Sequence, residues 1–369
     1  MLIQLAILGL LAAMLPLAVV WASRDANKFR KLAWVTLFLT FDLIMFGAFT
    51  RLTDSGLGCP DWPGCYGHAN PVQAHASISA AEAAMPHGPV TVVKAWIEMI
   101  HRYLAMGVGV LIVAMMVVAW LRWLKSRRMD ATYAPLLPTL LFGFVCLQGA
   151  FGAWTVTMKL QPLIVTMHLL LGMALLGMLT WLAARQSAHA PVAAAPGLRV
   201  AAAVGLAVLM LQIGLGGWVS TNYAALACTD FPLCHGALLP RMDFEHGFTL
   251  WRELGMTAGG DYLPFDALTA IHWTHRSFAF IVVAYLGWLG HKAMRIDGLQ
   301  RAGRWLLIGV LAQFCIGIAT VFLKWPLAIA VLHNGGAAVL VVLTVMLNYK
   351  ATLSAGVRPV STVNSAYPA

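Results

Sequence analysis

Nine long apolar stretches, separated by short segments rich in charged residues, proline or glycine, make up most of the chain. Each has roughly the 20 residues that a helix needs to cross the ~30 Å hydrocarbon layer of a bilayer. The first lacks preceding basic residues and is long for a signal peptide, so we interpret it as a retained helix. Because lipid cannot satisfy an open backbone, the pattern predicts an all-α integral membrane protein. The predicted spans lie near residues 2–22, 33–52, 93–121, 134–157, 163–184, 198–221, 268–290, 303–323 and 326–349.

The composition agrees with a membrane protein and gives an orientation. Apolar residues make up 60% of the chain and charged residues 10%, against roughly 25% charged in soluble domains. The net charge of +10 comes mainly from loops after the first, third and seventh spans, whereas the long loop 222–266 is mostly acidic. Because cytoplasmic loops are enriched in Lys and Arg, we expect a bacterial-type cytoplasmic (inner) membrane protein with its N-terminus and long loops outside. The lipid bilayer is then a partner, and no dense basic stripe of the kind that nucleic acid requires is present.

The chain contains an internal repeat that divides it into two similar units. One offset of 169 residues separates three pairs of cysteines, namely Cys59 and Cys228, Cys65 and Cys234, and Cys146 and Cys315. The repeat predicts two pseudo-symmetric four-helix transmembrane bundles plus one extra N-terminal transmembrane helix. The predicted segments are 1–32 for the extra helix and a basic loop, 33–190 and 191–350 for the two bundles, and 351–369 for a cytoplasmic tail.

A weaker repeat places a glycine near the outer ends of four helices. The glycines are Gly47, Gly152, Gly217 and Gly317, each beginning a similar tetrapeptide. Glycine permits close approach of membrane helices. Ordinary helix packing and room for a flat ligand are both open interpretations.

Two histidines recur in each unit at similar depth in the membrane. His101 recurs as His275 and His168 as His333, each about seven residues or ~10 Å inside its helix. A buried histidine is often only a hydrogen-bonded packing residue, but ionisable groups in lipid are costly and are usually functional. Two nitrogens are too few for structural zinc but complete the axial positions of a haem iron. The sequence therefore predicts two haem sites near the outer leaflet.

Four basic residues near the same face are candidate partners for haem propionates. Their alternative role is to anchor the helices at the membrane interface, with the apolar part of each side chain in lipid. The residues are Arg102, Arg276, Lys159 and Lys324.

The two units differ three residues before the first histidine, where Glu98 in one corresponds to His272 in the other. Positions i and i+3 share a helix face, so Glu98 is expected beside His101. A carboxylate in the membrane is costly unless it is used. It is either a catalytic group or a partner that orients His101, and the asymmetry indicates that one haem reacts while the other carries electrons.

The loop cysteines are close enough in sequence to form two disulfides. Cys59 and Cys65, like Cys228 and Cys234, are six residues apart around turn-forming residues. Both pairs are expected outside, where disulfides persist. A structural cross-link and a redox-active pair remain equally open. Cys146 and Cys315, within helices, are expected to be packing residues.

These residues together resemble a known family. The run from Gly47 to Gly67, GAFTRLTDSGLGCPDWPGCYG, followed by EMIHR from Glu98 to Arg102, closely resembles haem A synthase. The repeated cysteine pair, His275 with its following arginine, and His333 extend the likeness over nearly the whole chain from about residue 33. The family usually has eight helices, so the span at 2–22 is an addition.

The resemblance implies an oxidoreductase acting on a porphyrin methyl group. Its first half would take up haem O and oxidise the C8 methyl to a formyl group by two successive hydroxylations, giving haem A for cytochrome oxidase. Its second half would hold a haem b cofactor. Glu98 would be the catalytic carboxylate, His101 and His168 would ligate the haem O iron, and His275 and His333 the haem b iron. Haem O synthase and cytochrome oxidase assembly factors become candidate partners.

Two other functions explain part of the same pattern. A dihaem b-type membrane electron carrier could couple quinol to an extracytoplasmic disulfide, which accounts for the histidines and cysteines but gives Glu98 no role. A haem transporter or chaperone would hold haem loosely at both sites.

Overall fold

The computed structural model describes residues 1–193 and 195–353, and within them the chain folds into eleven α-helices joined by loops and two 3₁₀ turns. The helices are α1 (Leu2–Ala22), α2 (Lys28–Leu52), α3 (His75–Ala84), α4 (Val92–Lys125), α5 (Leu136–Thr157), α6 (Pro162–Arg185), α7 (Leu198–Thr221), α8 (Phe244–Gly247), α9 (Phe265–Met294), α10 (Gln300–Phe322) and α11 (Leu327–Leu353). In the described residues, nine helices are long and apolar enough to cross a membrane. The predicted all-helical, multi-pass architecture is confirmed.

Several membrane helices extend past the apolar stretches that predicted them. Helix α2 begins at Lys28, where the Asn27 side chain accepts a hydrogen bond of 2.9 Å from the Arg30 N–H. This contact satisfies one of the free N–H groups at the helix start. Long basic side chains can keep their charge in water while their stems lie along the helix, so a helix end need not coincide with the last apolar residue. The short helices α3 and α8 lie in the loops and were not expected.

The eight helices after α1, leaving out α3 and α8, pack in the same order twice. Helix α2 contacts α4 and α6, while α5 contacts α4 and α6; in the second set, α7 contacts α9 and α11, while α10 contacts α9 and α11. The two sets meet where α11 contacts α2 and α6, and where α6 contacts α7. If α2 corresponds to α7 and α6 to α11, the contact of α11 with α2 is equivalent to the contact of α6 with α7, as a twofold relation between the units requires.

Equivalent positions of the repeat touch each other at one end of the molecule. The Arg51 guanidinium donates to the Ser220 carbonyl at 2.6 Å and lies over the Tyr223 ring, and the Tyr223 hydroxyl donates to Asp54 Oδ1 at 2.7 Å. Both hydrogen-bonded pairs are 169 residues apart. These contacts therefore join the units close to the line that relates them.

Helix α1 lies outside this arrangement, against α4 and α2. A Cβ added at Gly9 would lie 3.0 Å from the Cβ of Met106, so the two helices are in close contact. Leu5 packs in one buried cluster with Cys59 and Cys65. The N-terminus therefore lies at the same end of the molecule as the first cysteine loop.

The structure contradicts what the sequence predicted for two cysteines, and it describes only the first part of the predicted C-terminal tail. Cys146 and Cys315 are exposed on their helices and are not packing residues. They are also not equivalent positions of the two units. Gln148 of α5 and Gln313 of α10 make the same contact with a histidine and are 165 residues apart, whereas the two cysteines are 169 residues apart. Of the predicted tail 351–369, the first three residues belong to α11, and the remainder lies outside the described residues.

Candidate functional site

The four predicted histidines lie on four different helices, and each faces a glycine on a neighbouring helix. An added Cβ at these glycines would lie within about 3.3 Å of an imidazole atom, tighter than ordinary packing allows. The pairs and distances are Gly47 with His101 at 3.0 Å, Gly152 with His168 at 3.3 Å, Gly216 with His275 at 2.9 Å, and Gly317 with His333 at 3.1 Å. The glycines thus make room for the imidazole rings, and room for a flat ligand at these positions stays a prediction.

One glycine of that repeat packs closely against another helix and does not face an imidazole. In α7 the imidazole faces Gly216, whereas Gly217 faces Leu169 and Thr166 of α6. Gly216 lies 169 residues after Gly47, so the offset of the cysteines would have identified it. The tetrapeptide that resembles those of the other helices begins one residue later, at Gly217, and so does not mark the glycine that faces the imidazole.

The histidines form two pairs. His101 on α4 and His168 on α6 lie on helices that both contact α2 and α5, and His275 on α9 and His333 on α11 lie on helices that both contact α7 and α10. Among the described residues no group of three or more His, Cys, Asp or Glu side chains could hold a metal ion. A metal bound between two of these imidazoles would therefore need its remaining ligands from another molecule, as a porphyrin provides.

The helices are less tightly packed at the level of the histidines than on either side. In α4 no residue from 100 to 106 is fully buried, whereas Leu111, Ile112 and Met115 further along are completely buried. The stretches that share this property are 41–49 in α2, 142–155 in α5, 167–171 in α6, 273–281 in α9 and 311–319 in α10. The side chains along these stretches, which include three of the four imidazoles, are therefore not fully buried.

Glu98 is buried and has protein partners on both carboxylate oxygens. Its Oε2 accepts a hydrogen bond of 2.8 Å from the Cys59 N–H, and its Oε1 pairs with the Arg102 guanidinium one helical turn later. Glu98 is 4% exposed, so this pair is shielded from water. A buried carboxylate needs such partners because the uncompensated charge would be very costly. The carboxylate is therefore held in a fixed position between the cysteine loop and α4.

The second unit has the same contact made by a different side chain. The Cys228 N–H donates to His272 Nδ1 at 3.2 Å, and His272 is also 4% exposed. The first cysteine of each loop thus bonds to the residue three positions before an iron-ligand candidate. A neutral imidazole takes the place of the carboxylate, so only the first unit has an acidic group here.

Both arginines that follow the histidines bind the cysteine loops. The Arg102 guanidinium donates to the carbonyls of Asp61 at 3.0 Å, Pro63 at 3.3 Å and Gly64 at 2.5 Å. Arg276 donates to the carbonyls of Asp230 at 2.7 Å and Leu233 at 3.1 Å. Apart from the Glu98 carboxylate that pairs with Arg102 and the Phe231 ring that lies beneath Arg276, these contacts are with loop backbone. The role of both arginines towards propionates stays a prediction.

Lys159 and Lys324 occupy matching turns, between α5 and α6 and between α10 and α11. Both have left-handed backbone conformations, with φ of 50° and 56°, and both side chains are exposed. The Leu160 side chain, next to Lys159, faces Gly56 of the first cysteine loop. The first of these turns therefore lies at the end of the molecule where the first cysteine loop is.

Both expected disulfides are formed. Cys59 and Cys65 are bonded at 2.08 Å, and Cys228 and Cys234 at 2.00 Å. All four cysteines are at most 2% exposed. In each loop the second cysteine also pairs through its backbone with a residue three positions later, His68 or Ala237. The disulfides thus lie in the folded base of each loop.

Three glutamines that contact the histidines are absent from the residues predicted from the sequence. Gln148, Gln212 and Gln313 each donate a side-chain N–H to the backbone carbonyl of an iron-ligand candidate on the adjacent helix. Each glutamine stands four residues before the glycine that faces the same histidine. The spacing Gln-x-x-x-Gly, present three times at matching places, could have identified them.

Comparisons with known proteins agree with the geometry. Residues 30–345 match the COX15-CtaA family, described as cytochrome oxidase assembly protein. The chain is 41% identical over 327 residues to the "Heme A synthase" of Shewanella oneidensis, covering 86% of this chain and 96% of that relative. It is 30% identical over 329 residues to the protein of that name in a Caulobacter species, strain K31 (83% and 91% covered), and 27% identical over 341 residues to one in Rhodopseudomonas palustris, strain BisB5 (85% and 88% covered).

Proposed function

Since the chain belongs to the COX15-CtaA family of cytochrome oxidase assembly proteins, we propose that it acts as a haem A synthase, an enzyme of haem A biosynthesis whose substrate is haem O. The observation that carries this proposal is the unequal pair of sites. Each unit has two intramembrane imidazoles packed against glycines, but only the first has a carboxylate, Glu98, where the second has His272. The alternative of a dihaem electron carrier is not the function in the names of the relatives, and it gives Glu98 no role.

The proposed ligands of the substrate haem O iron are His101 and His168, and those of a resident haem b are His275 and His333. Residues 33–190 would then form the substrate half and 191–350 the haem b half. Support comes from the paired imidazoles, the glycines that leave room for their rings, and the loosely packed layer around them. A neutral imidazole on each side of a porphyrin completes six nitrogen ligands to iron.

Glu98 is the proposed catalytic residue for oxidation of the haem O C8 methyl group to a formyl group. When bound, haem O supplies the methyl group and the iron. Two hydroxylations with oxygen from water would release four electrons and four protons from the methyl group and two waters, and the resulting geminal diol would lose one water to give the formyl group. The electrons would leave by way of the electron-carrying haem b, and a fixed carboxylate would stabilise the positive charge that develops on the methyl carbon. Glu98 can also accept a proton from the attacking water. Arg102 and the Cys59 N–H hold the carboxylate in place.

The disulfides are proposed to be structural in both loops, because the sulfurs are buried and the loops are held by Arg102 and Arg276. Further proposals concern the membrane. The basic loops would face the cytoplasm, and the N-terminus and both cysteine loops the outside of the inner membrane. Lys159 and Lys324 would then lie near the outer surface as partners for haem propionates, and haem O synthase or oxidase assembly factors would deliver or receive haem.

The test is the haem content of cells that make haem O, with and without this protein, measured by chromatography of extracted haem. Wild-type protein is expected to convert haem O to haem A. Glu98→Gln keeps the size of the side chain but removes its charge, and only haem O should accumulate. His272→Gln is the matched control in the second unit and should still give haem A. Haem A production by Glu98→Gln at the wild-type level would refute the catalytic role.

A further inference from the structure

Three of the four iron-ligand candidates are held at their own backbone by a glutamine. The Nε2 atoms of the glutamines lie 2.9 to 3.1 Å from the histidine carbonyl oxygens. The pairs are Gln148 on α5 with His168 on α6, Gln212 on α7 with His275 on α9, and Gln313 on α10 with His333 on α11. A helix carbonyl usually bonds only within its own helix, so this extra bond ties the ligand-bearing turn to the adjacent helix.

The glutamine and the glycine that faces the same imidazole form one structural unit. They are four residues apart, which places them on the same face of a helix. In two cases the amide also approaches the ring, with Gln212 Nε2 3.2 Å from His275 Nδ1 and Gln313 Nε2 3.3 Å from His333 Nδ1. The amide thus fixes the position of the histidine backbone while the glycine leaves room for its ring.

The fourth histidine lacks the glutamine. His101 faces Gly47 of α2, and four residues before Gly47 stands Leu43, whose side chain cannot donate a hydrogen bond. The orientation of the ring differs as well. The His101 atom nearest to Gly47 is Nε2, whereas Cε1 is nearest in the other three pairs. The ring of Phe46 stacks on His101 with centroids 6.3 Å apart. His101 is therefore held by packing, without an amide.

We propose that Gln148, Gln212 and Gln313 are positioning residues that keep three histidines in place as iron ligands, and that Leu43 leaves His101 as the ligand that releases iron when substrate haem enters and product leaves. This inference rests on the proposed function. A resident haem is retained best when both ligands are fixed. A substrate haem must be held by one ligand and released by the other. In the second unit both histidines are bonded to a glutamine, whereas in the first unit only His168 is, and Leu43 takes the place of the glutamine near His101.

The experiment measures CO binding to the reduced, purified full-length protein with its haem b. Iron with two histidine ligands can bind CO only when a histidine leaves, so the rate of CO binding reports how firmly the ligands are held. Gln313→Leu introduces the side chain found at position 43, and we expect CO to bind about tenfold faster. Gln212→Leu should act in the same direction. The matched control is Gln186→Leu, which removes an amide-to-carbonyl hydrogen bond of 2.9 Å far from the histidines and should leave the rate unchanged.

The converse variant is Leu43→Gln, with Leu43→Met as its control for size. With haem O bound, we expect Leu43→Gln to slow the transfer of haem to excess apomyoglobin several-fold, while Leu43→Met behaves like the wild-type protein. Loss of haem b from a folded Gln313→Leu protein, judged by its unchanged elution and melting, would also support the proposal.

Two negative outcomes are distinguishable. Haem b present in full amount, with equal CO rates in wild type, Gln212→Leu and Gln313→Leu, would overturn the positioning role while leaving the proposed function intact. Wild-type protein that binds no haem through His275 and His333, shown by unchanged haem content in His275→Ala and His333→Ala, would overturn both.

Discussion

Replacing Arg102 should destabilise the protein far more than replacing its counterpart Arg276. Arg102→Met removes the bonds to three loop carbonyls and also leaves Glu98 buried without a cation. Arg276→Met removes two bonds to loop carbonyls and leaves no charge behind, because His272 replaces the carboxylate in that unit. The two variants therefore differ mainly in the isolated carboxylate.

The magnitudes follow from the burial of the pair. The side chains of Arg102 and Glu98 are 11% and 5% exposed. Breaking a buried ion pair by removing one partner costs about 3 to 5 kcal/mol. Loss of charge-assisted bonds to the loop carbonyls by Arg276→Met should cost about 1.5 to 3 kcal/mol. The double variant Glu98→Gln with Arg102→Met has no isolated charge. Its loss of unfolding free energy should therefore be about as small as that of Arg276→Met.

The assay is the free energy of unfolding in detergent micelles titrated with SDS and followed by tryptophan fluorescence. The expected order of stability is wild type, then Arg276→Met together with the double variant, then Arg102→Met. Equal destabilisation by both arginine variants, with no recovery in the double variant, would refute the idea that Arg102 compensates a buried charge on Glu98.

Three further predictions concern other contacts. Gly317→Ala would place a Cβ 3.1 Å from the imidazole it faces and should lower the haem content of purified protein, measured as the pyridine haemochrome, whereas Gly287→Ala, with nothing within 4 Å, should not. Tyr223→Phe removes an exposed hydrogen bond between the units and should change the unfolding free energy by less than about 1 kcal/mol in the same SDS titration. The N–H groups of Gly236 and His235 donate to the Asp230 carboxylate and lower its pKa. These bonds should stabilise the second loop fully at pH values above the ordinary aspartate pKa and weaken as the pH falls through the lowered pKa of Asp230. The protection of the loop amides from hydrogen exchange should therefore decrease at acid pH in the wild type, and change less in Asp230→Asn.

Much of the architecture could be predicted because the membrane imposes its requirements locally along the chain. An apolar stretch of about 20 residues must form a helix in lipid, whatever its neighbours are. The repeat also survives in the sequence, so the equivalence of His101 with His275 and of Cys59 with Cys228 needed no coordinates. The exact helix ends, such as the start of α2 at Lys28, depend on capping contacts that hydropathy does not contain.

The errors arose where equivalence depends on helix rotation. Cys146 and Cys315 share the cysteine offset, yet α5 and α10 align at a different one, which is set by the glutamines and glycines that contact histidines. The similar sequence at Gly217 likewise concealed the role of Gly216. A helix face is decided by which residue meets the neighbouring helix, and a difference of one residue turns that face by about 100°.

By itself, the sequence determined that this chain lies in a membrane, that it consists of two related units, and that four histidines and one carboxylate recur or fail to recur between them. Only the tertiary structure decided what those side chains touch. Glu98 meets the Cys59 N–H across 39 residues of chain, and Gln212 meets His275 across 63. Hydrophobic periodicity is a local property, whereas hydrogen-bond partners depend on how separate helices pack. The Gln-x-x-x-Gly spacing is visible in the sequence, but only the fold shows that each of these amides contacts a histidine and that His101 has no such contact among the described residues.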